Sequence, residues 1–116
     1  MDKDFMDAVV EAREMCGFPW PVTSGYRCPQ HNNNVSTTGK AGPHTTGHSI
    51  DVQVYGGRVG EIIDAILMCD IYIPEEHGRG SIGFMQHGKH KKRYIHIDNL
   101  RPDQTTGPRP TIFSYP

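Results

Sequence analysis

Apolar side chains near the start of the chain recur at a helical spacing. Phe5, Met6, Val9, Val10 and Cys16, with Arg13 on the same stripe, predict a helix over residues 4–16. Gly17 supplies its stop, and Asp2 or Asp4 can accept from its first backbone N–H groups. A second stripe of Val59, Ile62, Ile63, Ile66 and Leu67 predicts a helix over residues 59–69, after a break at Gly56 and Gly57. Elsewhere the period is two. Ile50, Val52 and Val54 alternate with Ser49, Asp51 and Gln53, and Ile95 and Ile97 alternate with Tyr94, His96 and Asp98. Residues 22–24 read as a short strand behind the rigid turn Phe18-Pro19-Trp20-Pro21. Residues 81–85 read as a strand pairing with residues 94–97 across a hairpin tip at 87–93, and residues 71–73 as a shorter strand. Residues 28–43 are polar and turn-rich. The proline-bearing tail, residues 99–116, is expected to wrap the sheet rather than add an element. These elements predict an α+β fold: a small, mostly antiparallel sheet with helices packed on one face and its polar face turned the other way.

That polar face carries the chemistry. His44 and Asp51 stand seven positions apart, with Gly47 between them. On a helix they would lie ~10 Å apart along the axis, too far to share an ion. A chain that turns at Gly47, where positive φ costs little, can bring them together. The strand over residues 94–97 presents His96 and Asp98 on one side and buries its isoleucines on the other. His44, Asp51 and His96 would give a zinc ion three protein ligands and leave its fourth position open, a catalytic rather than a closed structural arrangement. The polar face is thus expected to be a zinc cleft.

The motif His-x-x-Gly-x-Ser-x-Asp over residues 44–51, after Ser24-Gly25-Tyr26-Arg27 and before His96-x-Asp98, resembles peptidase family M15, the zinc D-Ala-D-Ala carboxypeptidases and phage endolysin peptidases. The family's usual motif is Ser-x-His-x-x-Gly-x-Ala-x-Asp; here Gly42 replaces the serine and Ser49 the alanine, small for small, sparing the ligands. The resemblance runs from about Phe18 to Tyr115 and takes in an Arg-Pro…Tyr stretch in the tail. It implies a Zn2+-dependent metallopeptidase acting on peptidoglycan stem peptides, either as a D-Ala-D-Ala carboxypeptidase or as an L-Ala-D-Glu endopeptidase. It gives Arg27, otherwise a turn residue, the task of gripping a substrate carboxylate, which suits a planar guanidinium. Relatives place Asp, Glu or His shortly before the second metal histidine as general base. Here the nearest upstream acid is Glu76, and Lys91, Lys92 and Arg93 stay protonated. His90 is the expected base, with His87 and Asp98 as alternatives; Asp98 also suits support of His96.

Composition limits the other readings. At 116 residues the chain is long enough for one domain, residues 1–116, with one modest core. A net charge of −1 gives no global pull toward nucleic acid or membrane, and a monomer is expected. The basic run between Lys89 and Arg93 reads as a solvated loop that could attract acidic groups. The first residues lack the pattern of a secretory signal, so synthesis in the cytoplasm and action on the cell wall, as a phage lysis or virion enzyme, is expected. Cys16, Cys28 and Cys69 fit no disulfide framework and are expected as packed thiols, a Cys16–Cys28 bridge being the alternative. Two other classes remain: a non-catalytic zinc module of hedgehog-like fold, and a metal-free anion- or wall-binding protein.

Overall fold

The computed structural model describes residues 1–25 and 46–116. Arg27, Cys28 and His44 fall outside the described residues.

Helix α1 is Lys3–Cys16. Asp2 caps it, its carboxylate accepting from the Phe5 N–H at 2.9 Å, and Gly17 closes it in the left-handed region at φ 73°. Strand β1 is Val22–Ser24, β2 is Ser49–Gln53, and helix α2 is Gly57–Met68. Strand β3, Ser81–Met85, leads through a short 3-10 turn, His90–Lys92, into β4, Tyr94–Asp98. The expected strand at residues 71–73 is reduced to a single bridge between Ile73 and Arg79. Its backbone turns back on itself over too few residues to form a ladder.

The tail departs from expectation. After a 3-10 turn at Pro102–Gln104 it forms a fifth strand, β5, Thr111–Ser114. Thr111, Ile112 and Phe113 favour extended backbone, and the tail's prolines stand outside the strand, where their missing N–H costs no ladder bond.

The sheet order is β1-β2-β4-β3-β5, antiparallel throughout except for the parallel β3–β5 edge. Its apolar face carries Ile50, Val52, Ile82, Ile95 and Ile97, each at most 1% exposed. Phe5, Val9 and Ala12 of α1 and Ile62, Ala65 and Ile66 of α2 complete the same core. Each fully buried aliphatic side chain stabilises the fold by ~1.5–3 kcal/mol relative to exposure. With this face filled by the helices, the opposite side chains of β2, β4 and β3 are left to build something else. Cys16 and Cys69 are free thiols; Cys16 Sγ donates to the Glu61 carbonyl at 3.5 Å.

Candidate metal centre

Directly paired residues on neighbouring strands project to the same side, so the register defines rows across the polar face. The middle row runs Asp51, His96, Gly83, Phe113. On one side of it lies Ser49, Asp98, Ser81, Thr111, and on the other Gln53, Tyr94, Met85. Asp51 and His96, separated by 45 positions in sequence, are immediate neighbours here.

His96 Nδ1 lies 3.1 Å from Asp51 Oδ1, and its Nε2 lies 2.8 Å from Asp98 Oδ2. Asp98 is completely buried, yet its oxygens are well supplied. Ser81 Oγ donates to Oδ2 at 2.5 Å and the Leu100 N–H to Oδ1 at 3.2 Å. Arg109, from the tail, grips both oxygens, Nε to Oδ1 at 3.1 Å and Nη2 to Oδ2 at 3.0 Å. Its side chain is itself only 6% exposed. This fork is the strong form of a carboxylate contact.

The electrostatics follow from these contacts. Burial alone would raise the Asp98 pKa, but His96, Arg109 and Ser81 outweigh it and hold the carboxyl below its ordinary value. Burial likewise pulls His96 down, and the carboxylates of Asp51 and Asp98 overcome it and lift the imidazole above its usual range. A carboxylate this occupied is built to orient a neighbour rather than to collect a proton.

The donor pair also fits a zinc ion. Two donors each ~2.0–2.1 Å from one tetrahedral zinc stand ~3.3 Å apart. The 3.1 Å between Asp51 Oδ1 and His96 Nδ1 is close to that edge. With Nε2–H donating to Asp98, the lone pair of Nδ1 is the one turned toward Asp51, and the carboxylate–imidazole–metal sequence is the usual support of a metal histidine. Among the described residues no three metal-competent side chains are placed to hold a single ion. The third expected ligand, His44, lies outside them.

The turn before β2 is held from both sides. Gly47 adopts φ 77°, as the spacing argument required, and its carbonyl accepts from the Asp2 N–H at 2.8 Å. A Cβ there would lie 3.3 Å from that nitrogen. His48 Nδ1 meets Asn99 Oδ1 at 3.0 Å, tying the turn to the chain just beyond β4.

The histidines expected to supply the base have other partners among the described residues. His90 stacks on Tyr55 with ring centroids 4.2 Å apart. Tyr55 lies four residues along the chain from Asp51 and two beyond the end of β2. His87 Nε2 contacts the Pro116 carbonyl at 2.9 Å. Arg109 and Phe113 were missed in the sequence. Phe113 lies over Gly83, where any Cβ would overlap its ring, and beside His96 at 5.9 Å between ring centroids. The one available signal for Arg109 was the need of a buried Asp98 for a cation, and with 12 lysines and arginines in the chain that need points to no single residue.

A histidine and a carboxylate face each other across adjacent strands, braced by a second carboxylate, and comparison with known families gives the class as peptidase. The sequence model of the family described as Peptidase M15 matches residues 2–98, and the chain belongs to that family. Searches of curated proteins and of solved structures found no match. The matched segment stops at Asp98, so Arg109 and the whole of β5 lie beyond it.

Proposed function

We propose that the protein is a zinc-dependent peptidase that hydrolyses peptide bonds in the stem peptides of bacterial peptidoglycan. The observation that carries this reading is the Asp51–His96 pair at 3.1 Å, backed by Asp98, in a chain of the peptidase M15 family, whose members are generally zinc-dependent. His44, Asp51 and His96 would hold the ion. Zinc in that position supplies polarisation of the scissile carbonyl and a lowered pKa for a water.

The chain's own residues do the rest. Asp98 fixes the ring plane and tautomer of His96, and Arg109 and Ser81 fix Asp98. Arg27 grips a substrate carboxylate. His90 takes the water's proton, which requires its stack on Tyr55 to open. His90→Ala should therefore bind zinc normally and lose most of its turnover.

The test of the function is mass spectrometry of purified peptidoglycan incubated with the zinc-loaded protein, with and without a chelator. Zinc-dependent release of D-alanine identifies a carboxypeptidase, and scission between L-Ala and D-Glu an endopeptidase. Stoichiometric zinc binding with intact stems would instead make it a non-catalytic zinc module.

A further inference from the structure

The outer row of the polar face runs into a cavity of about 240 Å³ lined by Thr23, Gln53, Lys91, Lys92, Arg93 and Tyr94. Its basic wall is held in place by the sheet. Gln53 Nε2 donates to the Lys91 carbonyl at 2.9 Å, and the Val54 N–H donates to the Arg93 carbonyl at 3.1 Å. The 3-10 turn closes on itself through the Lys92 N–H to the Lys89 carbonyl at 2.9 Å and the Arg93 N–H to the His90 carbonyl at 3.1 Å.

The charge on this wall is not neutralised from within. Lys91, Lys92 and Arg93 make no ion pair among the described residues, where the ion pairs are all formed by other cations. The sequence offers no acid between Glu76 and Asp98, and residues 26–45 contain neither Asp nor Glu. In a chain whose net charge is −1, this is a local excess of positive charge around a concave site.

Its distance from the metal face selects the ligand. Gln53 and Tyr94 are a register pair two residues along β2 and β4 from Asp51 and His96, on the same face. That is ~7 Å of strand. An extended peptide advances ~3.3–3.6 Å per residue, so the cavity lies about two substrate residues from a bond held at Asp51 and His96. We propose that this cavity is a specificity subsite for a carboxylate of the peptide substrate, carried about two residues from the scissile bond and read by Lys91 and Lys92. The assignment rests on the peptidase reading of the Asp51–His96 centre and adds the substrate's charge and its position. A mobile ammonium on a long stem suits a carboxylate whose exact orientation need not be fixed.

The experiment uses two synthetic stem peptides that differ only in whether that carboxylate is free or amidated. They are compared on the zinc-loaded wild type and on Lys91→Gln/Lys92→Gln, whose fold is checked by its thermal transition. The wild type should prefer the free acid by about ten- to a hundred-fold in kcat/KM, mostly through KM, and the double variant should lose that preference. Calorimetric titration of the same peptides, at low and raised salt, reads binding independently of turnover. Charge- and salt-dependent binding that the double variant abolishes, with no turnover anywhere, would keep the subsite and sink the peptidase reading. Turnover without any preference between acid and amide would do the reverse. A phosphate-bearing wall polymer that binds through Lys91 and Lys92 while acid and amide peptides bind alike would also overturn the proposal, in favour of an anchoring role.

Discussion

Asp98 shows what the site asks of single residues. A buried carboxylate is costly unless its oxygens are paired, and here the partners come from β3, β4 and the tail. Arg109→Ala should destabilise the protein by about 3–5 kcal/mol, because it leaves the charge of Asp98 short of its cation. Arg109→Lys keeps the charge and loses the fork, and should weaken zinc binding about ten-fold, read by competitive titration with a chelator. Ser49 makes the opposite case. Its hydroxyl is fully buried and finds no partner among the described residues, in the position where the family motif has alanine. Ser49→Ala should therefore raise stability by about 1 kcal/mol in denaturant unfolding. The pairing of Asp51 with His96 was legible because strand alternation assigns each side chain a face, and both fell on the polar one. Arg109 was not legible, since nothing local in a proline-rich tail marks which basic residue will reach a given carboxylate.

At the scale of elements, the helices and the strands β2, β3 and β4 announced themselves through period and caps. Each buries one face against the same core, and that is the condition under which a hydrophobic pattern reports structure. β5 breaks the condition. Ile112 is 57% exposed, and Phe113 projects onto the polar face of the sheet, so the usual alternation is inverted at this edge. Its partner β3 was recognisable, but a parallel pairing is set by the path of the intervening chain and leaves no local mark. The seat of β5 is Gly83, whose missing side chain is filled by the Phe113 ring. Gly83→Ala should push that ring away and cost about 1–3 kcal/mol, with loss of Phe113 contacts visible in the aromatic NMR signals of His96 and Phe113.

For the whole molecule, the modest core makes any bound ion matter to stability. Zinc at 100 times its Kd would add about 2.7 kcal/mol, so chelation should lower the melting temperature of the wild type and not that of His96→Ala. A chain cut after Asp98 would retain the whole family match and the strands that carry Asp51 and His96. It would also bury a carboxylate without Arg109 and leave the β3 edge uncovered. It should lack a cooperative thermal transition and aggregate on refolding. The same dependence has a counterpart during synthesis. As the nascent chain leaves the ribosome, the strands bearing Asp51 and His96 emerge before the segment that completes them. Until residues 109–114 follow, the half-built face offers an open edge and an unbalanced charge, so this is the interval in which a chaperone would have most to hold.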